Sequence, residues 1–184
     1  MTHSTTTQTE QITPHDDTPS IYVACLAAYN DAILHGTWID ATLSPDAIRE
    51  AIRSMLKASP IKEAEEFAIH DYDNFHSLQL SEWGNIDDVH AYATFIAEHG
   101  PLGADLIAHM DTVELAQSAI EDGYAGCYNS LADFAQELTE DTTKIPTNLA
   151  YYIDYDRMAR DMELSGDIFT IETAHDEVHV FWSH

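Results

Sequence analysis

Lysine and arginine are what this chain has least of. Its 184 residues hold 7 of them against 33 aspartates and glutamates, a formal net charge of -26. Between Glu63 and Asp141 there is no lysine or arginine, while eighteen acids fall in the same stretch. A chain so poor in cations lacks the basic footprint of a nucleic-acid binder, and an anionic lipid surface would repel it. Cysteine is almost as scarce. Cys25 and Cys127 are the only two, too few and too far apart for a disulfide framework, which suits a reducing compartment. No apolar run approaches the roughly 18 residues that span a bilayer. The Thr-rich start, with Thr2, Thr5, Thr6, Thr7 and Thr9, has neither the basic nor the apolar region of a signal peptide. These absences predict a soluble, cytoplasmic protein without direct nucleic-acid or membrane contact.

Catalytic motifs are missing too. There is no P-loop, no Rossmann glycine pattern and no Gly-x-Ser-x-Gly. Eleven histidines form no His-Glu-x-x-His, and no Cys-x-x-Cys occurs. Asp71, Asp73, Ser77, Gln79 and Glu82 fall at positions 1, 3, 7, 9 and 12 of a calcium-loop frame. Phe75 and His76, however, stand where that loop needs a ligand and a glycine. Neither a metal nor a cofactor is expected, and enzymatic activity has no positive support.

What is present is a foldable chain. Hydrophobic residues make up 45%, with 6 Phe, 9 Tyr and 3 Trp, far too apolar for a disordered acidic tail. The acids therefore decorate folded elements. Self-repulsion on this scale opposes compaction, and three explanations are open: a cationic partner, a high-salt habitat, or bound cations. Duplex DNA carries one negative charge per roughly 1.7 Å of axis, so 26 charges match about 45 Å, or some 13 base pairs. A DNA-like field and a salt-adapted surface stay even on composition alone.

Residues 1–20 read as a disordered leader containing Pro14 and Pro19. Ile21, Val23 and Cys25 alternate as a strand, and a second strand surrounds Trp38 and Ile39. Ser44 and Pro45 open a helix with Ala47, Ile48, Ala51, Ile52, Met55 and Leu56 on one face. Arg49, Arg53 and Lys57 form a stripe on its other side. Residues 65–72 return as a third strand. From Ile86 the period turns helical, with one helix ending before Gly100 and Pro101, a second over 102–110, and a third capped by Asp111 or Thr112. Gly123 and Gly126 interrupt the pattern. Ser130 caps another helix, a long helix is expected over about 147–164, and a hairpin over 168–182 turns near His175 and Asp176. Arg157 and Arg160 are expected to hold carboxylates of their own helix region.

At this point particular residues become informative. Ile21-Tyr22-Val23-Ala24, Leu34-His35-Gly36-Thr37-Trp38-Ile39-Asp40 and Ala64-Glu65-Glu66-Phe67-Ala68-Ile69-His70-Asp71-Tyr72 resemble the start of ArdA antirestriction proteins. The segment from Ala119 to Ala135, including Tyr124, Gly126, Tyr128, Ser130, Leu131, Asp133 and Phe134, is similar to that family's antirestriction motif. Residues 152–162 and 165–169 resemble its C-terminal signature.

The resemblance implies a DNA mimic carried on mobile genetic elements. Such a protein occupies type I restriction-modification enzymes in place of DNA, blocking restriction and often methylation. It also implies an elongated, curved α+β protein of three small domains that dimerises through the last. Here these would be an N-terminal β-β-α-β domain over 21–84, an acidic helical middle over 85–118, and a C-terminal domain with the terminal hairpin over 119–184. The expected phosphate surrogates are Glu63, Glu65, Glu66, Asp71, Asp73, Glu82, Asp87, Asp88, Glu98, Asp105, Asp111, Glu114, Glu121 and Asp122. The motif residues are expected to shape the third domain or the dimer contact. Two rival readings are a halophile-type acidic protein with unknown enzymatic work and an acidic chaperone for basic DNA-binding proteins.

Overall fold

The computed structural model describes residues 17–183. The leader expected over 1–20 therefore lies outside the described residues up to residue 16. Pro19 is buried and Ser20 already begins the first strand. The architecture is α+β, and the described chain divides into two compact units, one holding residues 17–75 and 80–97, the other 76–79 and 98–183.

In the first unit, β1 (Ser20–Cys25), β2 (Gly36–Asp40) and β3 (Phe67–Asp73) form an antiparallel sheet in the order β2-β1-β3. Central β1 pairs Ile21 with Ile39 on one side and Val23 with Ile69 on the other. Ile21, Val23, Ala24 and Cys25 are all buried. A central strand covered on both sides loses the inside-outside alternation of a half-exposed one. Directly after it Leu26 opens a short helix, α1 (Leu26–Asn30), closed by the Asp31 and Ala32 amides donating to Ala28 and Tyr29.

α2 (Pro45–Lys57) starts where local chemistry dictates. Ser44 Oγ accepts from the Ala47 amide at 3.3 Å, and Pro45 occupies the first turn, where its missing N–H costs no bond. Its Ile48, Ile52 and Met55 are buried, and the helix packs on β1 and β2. Ala47, expected on that apolar face, is exposed. It lies in the first turn, at the edge of the buried stripe.

Helix α3 (Ile86–Met110) is broken at Gly100, whose φ of 60° and ψ of -142° are not helical, with Pro101 following. Helical stretches thus flank the predicted interruption. α4 (Val113–Ser118) is capped by Thr112, whose Oγ1 accepts from the Leu115 amide at 3.2 Å. Ile120, just past its end, falls in a π-helical turn, Ala119–Gly123.

The second sheet has the order β4-β6-β5, from β4 (Tyr124–Tyr128), β5 (Ile168–Ala174) and β6 (Glu177–Trp182). The hairpin turns at His175 and Asp176, as the sequence predicts, with Asp176 at φ 61°. α5 (Leu131–Thr142) and α6 (Tyr155–Ser165) pack on each other, and α6 also packs on β5. Phe134, Ile168 and Val180 form the buried centre, surrounded by Ala125, Tyr128, Leu131, Leu138, Met162 and Val178.

Two expectations need correction in this unit. The long helix over 147–164 does not form. A single 3₁₀ turn, Ala150–Tyr152, comes first, and α6 begins at Tyr155 because the Asp154 carboxylate accepts from the Arg157 amide at 3.0 Å and caps a new helix. It ends at Gly166, φ 77°, as expected. The glycine-rich stretch read as a pattern break is a strand. Gly126, φ 140°, makes a bulge between Tyr124 and Gly126 and the ladder with β6 continues past it. Among the described residues no helix is long and apolar enough to cross a membrane.

A candidate acidic interaction surface

The fourteen candidate carboxylates reach solvent by ordinary local rules. Glu63, Glu65 and Glu66 lie in the loop before β3. On β3, the period of two turns Asp71 and Asp73 outward while Tyr72 between them is half-buried. β3 is an edge strand, and charge there also discourages pairing with another chain. Glu82 is placed by its own backbone, whose carbonyl accepts from the Ile69 amide at 3.0 Å. Asp87 and Asp88 occupy the first turn of α3 and Glu114 that of α4, where the helix N-terminus favours negative charge. Glu98 and Asp105 follow in α3, Asp111 precedes α4, and Glu121 and Asp122 sit on the π turn. Thirteen of the fourteen are exposed; Asp105 alone is half-buried and accepts from the Ser77 hydroxyl.

Few of these charges are neutralised within the chain. Arg49 on α2 pairs with Asp87 and lies 3.6 Å from Asp46, while Arg53 pairs with Glu50 at 2.6 Å. The cationic stripe of α2 is thus largely engaged by acids of its own helix and one from α3. His70, whose ring meets Tyr29 edge-on at 4.7 Å, stands 3.9 Å from Glu82. Glu121 accepts from the Gln117 amide at 2.6 Å, and Asp122 is engaged as well. Ion pairs between described residues leave Glu63, Glu65, Glu66, Asp88, Glu98 and Glu114 without a cation within 4 Å. Against expectation, Arg157 and Arg160 line a small cleft with Asp154, Asp156 and Asp161 but form no ion pair with any described residue. For exposed side chains the entropy cost of holding both partners nearly cancels the attraction. No cluster of three or more His, Cys, Asp or Glu among the described residues is placed to hold a metal ion.

The segment around β4 is built by packing and backbone geometry. Tyr124 donates to or accepts from His179 Nδ1 at 2.9 Å, and its ring lies 5.1 Å from Phe181. The Tyr128 hydroxyl donates to Glu137 at 3.2 Å, and its ring meets Phe134 at 5.3 Å. Burial, then the Glu137 carboxylate, raise the Tyr128 phenol pKa above the usual range. Ser130 caps α5 by accepting from the Asp133 amide at 3.2 Å, leaving the Asp133 carboxylate exposed in the first turn. Leu131 packs at the margin of the core and Phe134 at its centre.

Gly126 carries a specific expectation. A Cβ there would stand 3.1 Å from the Tyr128 ring, at a φ of 140° that side chains avoid. Gly126→Ala should therefore lower stability by about 1–3 kcal/mol in urea denaturation. An unchanged midpoint would show that the bulge relaxes without cost.

His179 predicts a pH dependence. Burial lowers its pKa below the ordinary 6.5, with the Glu177 carboxylate only partly opposing. As pH falls through about 6.5 the unfolded chain takes up this proton first. The stability linked to His179 is thus present above about pH 6.5 and is lost as the pH falls towards the folded-state value. Denaturation at about pH 7.5 and 5.5 should show a larger loss for the natural chain than for His179→Gln. Equal losses would rule the linkage out.

A family model described as antirestriction protein (ArdA) matches residues 21–177. A search of curated proteins found no match.

Proposed function

Since the chain belongs to the ArdA family of antirestriction proteins, we propose that it acts as a DNA mimic, occupying the DNA-binding channel of a type I restriction-modification enzyme and so blocking restriction. One observation carries this reading: the stretch without lysine or arginine displays its carboxylates in solvent, thirteen of the fourteen exposed and most without an internal cation. Exposed carboxylates stand in for phosphates. They pair with the lysines and arginines lining the enzyme's channel and displace the ions held there. The mechanism is competitive occlusion, with no bond made or broken, and ArdA is not a known enzyme family. Where the same channel serves methyl transfer, modification falls together with restriction.

The protein works as a homodimer in this reading, joined through the C-terminal region that contains the β4 motif. Two-fold symmetry doubles the length of duplex imitated and suits an enzyme that reads a bipartite site. The deciding experiment is DNA cleavage by a purified type I restriction enzyme, with and without the protein, across salt concentrations. Inhibition that weakens as salt rises is the expected result. Cleavage unaffected at every salt concentration would overturn the proposal. Salt-stimulated stability without inhibition would favour a salt-adapted protein instead.

A further inference from the structure

The second unit also holds an apolar groove that charge display does not use. It encloses about 700 Å³ and is lined chiefly by His109, Met110, Leu115, Phe169 and Trp182, with Asp122 among the lining residues. Its wall is an aromatic stack. The His109 ring lies parallel to Phe169 at 4.9 Å, and Phe169 to Phe181 at 4.9 Å. Leu115 is 54% exposed and Trp182 37%. Three of the lining residues have an exposed acid as sequence neighbour: Asp111 beside Met110, Glu114 beside Leu115 and Glu121 beside Asp122.

An apolar centre with a charged border is the composition of an interaction hot spot. The acids Asp111, Glu114, Glu121 and Asp122 are the charged groups that lie in or next in sequence to its described lining, so its complement is an apolar side chain with cations around it. Aromatic walls also favour a flat ring, and a flanking guanidinium gains from the ring faces. We propose that this groove receives an aromatic side chain flanked by lysine or arginine, presented by the cationic protein partner. The inference rests on the DNA-mimic reading for the partner's identity and deepens it. Polyanion imitation alone gives the chain nothing that duplex DNA lacks, because DNA offers the same charges to the same channel. A buried ring adds a contribution that salt does not screen.

The test has two arms. In the first, calorimetry compares a five-residue peptide of lysine, arginine, tryptophan, arginine and lysine with the same peptide carrying glycine in place of tryptophan. The tryptophan peptide should bind roughly tenfold tighter, equivalent to about 1.4 kcal/mol. Both peptides weaken with salt, but their ratio holds. Leu115→Ser should bring the ratio close to one, and Met110→Gln, which nearly preserves side-chain length, should reduce it. Leu115 is more than half exposed, so the unfolding midpoint should stay where it is. A ratio near one for the natural chain, or one unchanged in both variants, overturns the proposal. So does a Leu115→Ser chain that changes its sedimentation behaviour while keeping the ratio, since the groove would then be a seam between two copies.

In the second arm, both variants should inhibit a type I restriction enzyme about tenfold less well, with an unaltered salt slope. If the natural chain fails to inhibit that enzyme while the peptide ratio holds, the restriction-enzyme reading falls. The groove then stands as a site for another basic partner with an aromatic anchor.

Discussion

Neutralising Glu63, Glu65, Glu66, Asp88, Glu98 and Glu114 together, as glutamines and asparagine, should weaken inhibition of restriction by roughly fiftyfold, while each change alone stays within about twofold. All six are exposed and none has a lysine, arginine or histidine within 4 Å among the described residues. An exposed ion pair formed with a partner changes affinity by about twofold, and six such small terms multiply. The slope of inhibition against salt should flatten as well, because fewer ions are displaced. Removing six like charges from a chain of net charge -26 relieves self-repulsion, so thermal stability should hold or rise. That separates lost recognition from lost folding. A sixfold variant inhibiting like the natural chain would sink the mimicry.

Phe134→Ala should cost about 3–5 kcal/mol of stability, measured by urea denaturation. Phe134 is 3% exposed and sits among Ile168 and Val180, with the Tyr128 ring at 5.3 Å and the Trp182 ring at 5.8 Å. Removing it opens a cavity at the point where α5 meets the β4-β6-β5 sheet. A domain's whole stability is only about 5–15 kcal/mol, so the loss is a large share. Phe134→Leu keeps most of the volume and should cost about 1 kcal/mol. A loss below about 1 kcal/mol for the alanine variant would mean that another cluster holds this unit together.

The two predictions differ in kind because the residues do. Phe134 acts through burial, so one change is costly, whereas the carboxylates act as a sum, so one change is nearly silent. That contrast also explains what was legible beforehand. Caps are local chemistry, and Ser44, Thr112 and Ser130 all begin helices as their residue types require. Alternation marked β1 and β3, the residues around Trp38 and Ile39 marked β2, and the hairpin was legible from its turn residues. Asp154 shows the limit. As one more polar residue in a helical pattern it looks unremarkable, yet its side chain captures the Arg157 amide and starts the helix anew. Gly126 resembled a terminator because its positive φ is invisible in composition, and only the pairing with β6 shows that the strand continues through it. Arg157 and Arg160 looked paired because acids are near in sequence, but exposed side chains gain too little to be held.

The chain's own sequence determined its charge, its lack of lysine and arginine over 63–141, the helix starts and the family membership of residues 21–177. Each is a property of single residues or short neighbourhoods, readable without a partner in space. Tertiary structure alone decided the strand orders β2-β1-β3 and β4-β6-β5 and the aromatic wall formed by His109, Phe169 and Phe181. Those features join residues far apart along the chain. Their contacts form only when the chain closes long loops and buries apolar surface as a whole, and no local pattern records which distant segment will arrive.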